Sequence, residues 1–249
     1  MSSNEKKLSV LGHFSELRKR LIRSIIVLVI TAIISFVFYE RIFDILIYPA
    51  PEGITLQAIK MTEMLGATMR VALICGVILA MPYLTYELVM FISPALTRRE
   101  KRYVYIVLPW IALMFAAGVA FAYFILIPRI TGFLIGWGSN IVSVQPMFSD
   151  YINVVTRLLL VVGLVFELPV LTTFLSRIGV IKPKWLADKR KPAIIISFIL
   201  AAIITPTIDP INQCLVAVPL ILLYEMSIWL SKLVYKRKAV ADEDIPSPA

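Results

Sequence analysis

Three observations predict an all-α integral membrane protein with six transmembrane helices, both termini inside and the last two spans short. They are a strongly apolar composition, six apolar runs divided by proline or charge, and a one-sided placement of Lys and Arg. Of the 249 residues, 59% are hydrophobic and 16% charged, and the mean hydropathy is +0.87. A soluble domain is about 45 to 50% apolar and about 25% charged. A spanning helix takes about 20 residues, so a chain of this length holds a single membrane domain of about five to seven spans. No room is left for a separate soluble catalytic domain.

The first apolar run covers residues 21–39, behind a basic segment. It is expected to be retained, because no small-x-small cleavage pattern follows Phe38; the chain continues Tyr39-Glu40-Arg41. After the connector Tyr48-Pro49-Ala50-Pro51, the second span covers 64–92 and stops at Ser93-Pro94. The third covers 103–127, carries no charge, and is read as ending at Pro128-Arg129. The fourth, 151–176, contains Arg157 and Glu167, and Lys182-Pro183 lies beyond it. The fifth and sixth, 192–208 and 211–230, meet near Thr205-Pro206. As helices they measure about 25 and 30 Å against a hydrocarbon core of about 30 Å. The short fifth span predicts local thinning of the bilayer.

Orientation follows from the 25 Lys and Arg. Twenty lie before the first span or at its edge, in the second and fourth connectors, or in the C-terminal tail; the other connectors hold only Arg41, Lys60 and Arg129. The positive-inside rule therefore places both termini in the cytoplasm. The net charge of +9 is a topology signal and an attraction to anionic lipids, with no implication of nucleic-acid binding. An amphipathic N-terminal helix over about 8–20 is expected to lie on the membrane before turning into the first span, since Phe14, Leu17 and Leu21 share a face. Residues 236–249 read as a flexible tail.

Enzyme chemistry finds little support. Cys75 and Cys214 both fall in spans and form neither a disulfide framework nor a metal site. His13, the one histidine, lies in the N-terminal segment; there is no HExxH and no GxSxG. Trp137-Gly138-Ser139 lies in a connector with no membrane histidine to serve as base. No cofactor is implied. A protein that binds or moves something is the expectation.

Three isolated acids carry the functional information. Glu16 stands among cations in His13-Phe14-Ser15-Glu16-Leu17-Arg18-Lys19-Arg20-Leu21, and Glu100 likewise in Arg98-Arg99-Glu100-Lys101-Arg102. A carboxylate accepts a guanidinium through two parallel hydrogen bonds, which a lysine cannot reproduce, so two such acids on one surface suit an arginine-bearing peptide. The alternatives are a helical pair from Glu16 to Arg20 at four-residue spacing and local charge balance at Glu100. Glu167 lies inside the fourth span, where an acid faces the bundle interior or a wet cavity. Pro169 removes a backbone donor and kinks the helix beside it, which predicts a polar recess; the alternative is a hydrogen bond that only joins two helices. Arg157 is about 15 Å away along the helix, too far for a direct pair. Glu87 and Glu225, nearer span ends, are expected to reach the interface, and Glu87 has no assigned role.

These motifs in this order resemble the TatC family, the large subunit of the Sec-independent twin-arginine protein translocase. The resemblance rests on His13-x-x-Glu16-Leu17-Arg18-x-Arg20-Leu21 and Phe91-x-x-Pro94-Ala95-Leu96-x-x-x-Glu100. It extends through Phe121-Ala122-Tyr123-Phe124, Phe166-Glu167-Leu168-Pro169-Val170, Lys189-Arg190-Lys191-Pro192 and Thr205-Pro206. It implies a receptor for twin-arginine signal peptides of folded precursors, in the bacterial cytoplasmic (inner) membrane. Partners would be TatA- and TatB-type single-span subunits and further copies of the chain, with export driven by the proton-motive force. On this resemblance Glu16 and Glu100 bind the signal, and Arg18, Phe91, Pro94 and Leu96 shape the surface. Glu167, Tyr123, Asp209 and Gln213 serve a membrane pocket and partner contact, and Pro49 has a periplasmic structural role. Lys101 stands where an arginine often follows the glutamate, and Glu87 where an amide or apolar residue would be unsurprising. The rivals are a proton- or ion-coupled small-solute transporter using Glu167 as relay, which needs a counter-charge beside it, and a purely structural scaffold.

Overall fold

A computed structural model describes residues 3–51, 55–92, 98–137, 145–205 and 209–243, with side chains over 15–51, 55–91, 107–137, 145–205 and 209–235. The first helix, α1 (Ser3–Val37), is 35 residues long, about 52 Å at 1.5 Å per residue. It shows no turn between a surface helix and a span, contrary to expectation. Residues 13–37 contain neither Gly nor Pro, so nothing interrupts the hydrogen-bond ladder as the chain enters the first span. Phe38 leaves helical geometry at φ −99° and ψ 21°, and the chain goes on into α2 (Tyr39–Ile47), with Phe43 and Leu46 buried. This helix lies where only a connector was expected. Tyr123 and Tyr151 donate their hydroxyls to the Ile45 and Leu46 carbonyls at 2.7 and 3.0 Å, pinning the C-terminal turn whose carbonyls lack partners within α2.

The second span is α3 (Glu63–Ile92). The third is a longer helical path than expected: α4 (Arg98–Phe121), a wide π-helical turn (Ala122–Leu126), then α5 (Ile127–Gly136). Pro128-Arg129 is therefore no connector. The wide turn comes directly before Pro128, so the ring and missing N–H fall where the ladder has already changed register, at the first turn of α5, which tolerates proline. α6 (Phe148–Arg177) forms the fourth span, with Pro169 inside it. A short α7 (Pro183–Asp188) leads to α8 (Arg190–Ile204) and α9 (Pro210–Glu243).

Among the described residues, α1, α3, the α4–α5 path, α6 and α9 are each long and apolar enough to cross a membrane. The remaining span is α8, the fifth in chain order, whose 15 residues reach only about 22 Å, the short span that the hydropathy predicts. The helix that holds the last span does not share this shortness: α9 continues for 34 residues in all. Residues 236–243, expected as flexible tail, extend it, because Lys236, Arg237, Lys238, Ala239 and Ala241 favour helix.

α6 is central, packed on α3, α4, α8 and α9, with Ile152, Val155, Leu158 and Val162 buried. Small residues set the closest approaches, as between membrane helices generally. A Cβ on Gly118 would lie 2.7 Å from that of Phe166 and 3.0 Å from the Gly163 Cα. α1 packs chiefly on α3, where a Cβ on Gly76 would lie 2.7 Å from the Ala32 Cα. Thr31 donates its hydroxyl to the Gly76 carbonyl at the same crossing, at 2.8 Å.

Candidate functional site

Glu16 and Arg20 stand four residues apart on α1, the spacing at which helical side chains meet. Arg20 Nε and Nη2 donate to Glu16 Oε1 at 3.1 and 2.7 Å, while Nη1 donates to Oε2 of Glu87 on α3 at 2.7 Å. Tyr83, one turn earlier on α3, donates its hydroxyl to Glu87 Oε1 at 2.7 Å. Arg20 thus bridges two carboxylates, and Glu87 has both oxygens occupied. The Glu16 side chain keeps 32% of its surface exposed and Glu87 only 4%, so Glu16 remains open to a ligand and Glu87 does not. Glu16 Oε2 has no hydrogen bond among the described residues.

Around this cluster, Arg18 is exposed and Phe91 half-buried. Phe91 follows Glu87 by one turn, on the face of α3 that Tyr83 and Glu87 present to α1. Glu100 lies in the first turn of α4, but its side chain falls outside the described residues, as do Pro94 and Leu96 entirely. The structure therefore brings together Glu16, Arg20 and Glu87, with Phe91 one turn further along α3. Glu87, expected at the interface without a role, is a buried partner of the N-terminal helix. By contrast, Glu225 reaches the surface as expected and pairs with Arg190 at 2.8 Å, both about half exposed.

Glu167 is 2% exposed and accepts a hydrogen bond from Thr85 of α3 at 2.8 Å on Oε2. Its Oε1 has no partner among the described residues. It faces the bundle interior, as an acid at membrane depth should. Beside it, Thr172 donates to the Leu168 carbonyl at 2.7 Å, and Thr173 to the Pro169 carbonyl. These hydroxyls supply donors near a helix segment where proline supplies none. A groove of about 540 Å³ opens further along α3 and α4, lined by Leu79, Pro82, Phe115, Val119 and Tyr123 among others. It is almost wholly apolar in its side chains.

The remaining expected positions have internal partners. Asp209 caps α9: its Oδ2 accepts from the Asn212 N–H at 2.8 Å, with Pro210 next in the first helical position, an arrangement favoured at helix starts. Gln213 donates to the Phe198 carbonyl at 3.1 Å, tying α9 to α8. Pro49 lies half-buried in the turn after α2. Arg157 donates to the Ile203 carbonyl near the end of α8 at 3.1 Å, directed away from Glu167.

Sequence reasoning missed Glu63. Its Oε2 accepts from the N–H groups of Ile59 and Lys60 at 2.9 and 3.3 Å, and Oε1 from that of Ser149 at 3.0 Å. One carboxylate thus joins the start of α3 to the start of α6. The signal was available as an acid at the first turn of an apolar run, the position a helix N-terminus favours, but the partner 86 residues away was not.

Comparison with known proteins bears on this arrangement. The family model for the Sec-independent protein translocase protein (TatC) matches residues 12–219. The Sec-independent protein translocase protein TatC of Desulforapulum autotrophicum is 39% identical over 98% of this chain and 91% of its own length. That of Aquifex aeolicus is 41% identical over 91% of this chain and 95% of its own length. A crystal structure of the twin arginine translocase receptor TatC superposes with a TM-score of 0.81 at 38% identity, covering 89% of this chain and 99% of that one. With a match that takes in both Glu16 and Glu167 and a shared fold at this level of identity, the chain belongs to the TatC family of Sec-independent protein translocases.

Proposed function

We propose that this chain is the receptor for twin-arginine signal peptides in a Sec-independent export complex of the bacterial cytoplasmic membrane, with both termini in the cytoplasm. The observation that carries the reading is the state of Glu16. It is an accessible carboxylate whose Oε2 has no partner among the described residues, hydrogen-bonded to one arginine that a second acid shares, at the end of the bundle where the Lys and Arg excess lies. Such a group suits a guanidinium from outside, which binds a carboxylate through two bonds. Glu100, in the first turn of α4, is the second acid of the site, and Arg18, Phe91, Pro94 and Leu96 border it.

Membership of the family and the shape of the bundle support a reading of the wider assembly. TatA- and TatB-type subunits, further copies of the chain and anionic lipids are the partners, and the proton-motive force drives export of folded cargo. Tyr123 and the α8–α9 end with Asp209 and Gln213 offer the membrane surface for a partner helix, while Glu167 is a buried acid inside the bundle beside it. The short α8 thins the bilayer there, which lowers the barrier to inserting a signal hairpin. The transporter alternative has less support, since Thr85 rather than a cation faces Glu167.

The test is the binding of an Arg-Arg signal peptide to the protein in nanodiscs, compared with a Lys-Lys peptide, repeated with Glu16→Ala and Glu100→Ala. Tighter Arg-Arg binding that collapses in either variant supports the receptor. Equal binding of both peptides to all three proteins defeats it.

A further inference from the structure

Arg20 presents a difficulty for a receptor that recognises arginine. Its guanidinium already occupies Glu16 Oε1 from the same helix, through both Nε and Nη2. An acid neutralised by its own neighbour is a poor acceptor for a second cation, because the pair carries no net charge.

Glu87 changes that balance. It lies 67 residues from Arg20 in sequence, holds Nη1 at 2.7 Å and is itself held by Tyr83. The three charged groups together carry one negative charge. Glu87 is buried and has both oxygens engaged, so within this hydrogen-bonded trio the extra charge is available to a ligand only at Glu16, whose Oε2 has no partner among the described residues.

We propose that Glu87 is a positioning residue of the signal-peptide site: it takes up the charge of Arg20 and so leaves Glu16 able to bind an incoming guanidinium. This rests on the receptor reading above and extends it to a residue that never touches the peptide. Arg20 then acts as a tether, joining α1 to α3 and fixing the Glu16 rotamer without cancelling its charge.

The inference makes a signed prediction about charge. Glu87→Gln keeps the shape and a carbonyl acceptor for Arg20 but brings the cluster to zero net charge. Affinity for the Arg-Arg peptide in nanodiscs should fall by about three- to tenfold, the range for losing one neighbouring charge near a protein surface. The double variant Arg20→Gln with Glu87→Gln restores a single negative charge on Glu16. Its affinity should return to within about twofold of the starting protein, although the tether is gone.

If Glu87→Gln binds as tightly as the unaltered protein, the proposal is overturned. If single and double variants are both weak, while thermal unfolding shows both folded, Glu87 acts through the shape of the α1–α3 contact and the charge account is overturned. A different result marks failure of the underlying receptor reading: the unaltered protein would then show no preference for Arg-Arg over Lys-Lys, and both proposals fall together. Preference in the unaltered protein, loss in the single variant and recovery in the double support the proposal.

Discussion

Thr85 and Glu167 meet across the α3–α6 interface, hydroxyl to carboxylate at 2.8 Å, in surroundings where Glu167 Oε1 finds no other described partner. Thr85→Val keeps the shape and removes the donor. It should lower stability by about 0.5–2 kcal/mol, the range for a buried polar group losing its partner and for hydrogen bonds between membrane helices. Replacing both, Thr85→Val with Glu167→Leu, should recover most of that loss, since no polar atom is then stranded. Thermal unfolding in nanodiscs measures both; a Thr85→Val protein with unchanged Tm would mean that the bond contributes nothing.

Thr85 and Glu87 are two residues apart on α3, about 200° around the helix. One faces α6 and the other α1, so the membrane acid and the surface acid cluster are served by opposite sides of the same helix. Glu167→Gln should therefore leave Arg-Arg peptide affinity within about twofold of the unaltered protein. A solute transporter that relays protons through Glu167 would instead lose proton-coupled uptake in the same variant. Peptide titration and a proton-flux assay in liposomes separate the two.

The parts legible in the sequence were those set by the solvent. Apolar runs located the spans, the brevity of α8 followed from the short run 192–208, and the Lys and Arg distribution marked one end. The spacing of Glu16 and Arg20 also announced their pair. What stayed hidden depended on partners distant in the chain or on how helices continue. Hydropathy shows that Glu87 and Glu63 are acids at span ends, but nothing local says that they meet Arg20 or Ser149. Pro128-Arg129 looks like a stop until the wide turn at 122–126 is seen to accommodate it. The segment 39–47 is too short to signal a span, yet Tyr123 and Tyr151 hold it as a helix.

Gly76 permits the crossing that holds α1 to the bundle. A side chain there would press on the Cα and N of Ala32, at 2.7 and 2.8 Å, and backbone cannot yield as a flexible side chain can. Gly76→Val should cost about 1–3 kcal/mol, the usual penalty of overpacking, and weaken peptide binding, because the Arg20–Glu87 bridge spans the displaced helices. Gly66 has nothing within 4 Å of its would-be Cβ. Gly66→Val is thus the matched control and should leave affinity unchanged; equal effects from the two substitutions would show that crossing geometry is not what Gly76 provides.

Glu63 performs at the opposite end of α3 the work that Arg20 does near the acid cluster, joining elements far apart in the chain. Its carboxylate accepts three backbone N–H groups, from Ile59, Lys60 and Ser149, and Ser149 lies in the first turn of α6, whose leading N–H groups have no acceptor within the helix. The neighbouring strand-like contact, where Gln57 N–H reaches the Pro146 carbonyl at 3.3 Å and Phe148 N–H the Gln57 carbonyl at 3.0 Å, depends on the same docking. Glu63→Ala should lower Tm, because it strands the three N–H groups that the carboxylate accepts. Glu63→Gln keeps an acceptor but not its charge, and should lower Tm less. Hydrogen exchange at the Ser149 and Ile59 amides should quicken in Glu63→Ala before global unfolding does; protection at both amides equal to the unaltered protein would mean that the backbone of this end holds itself.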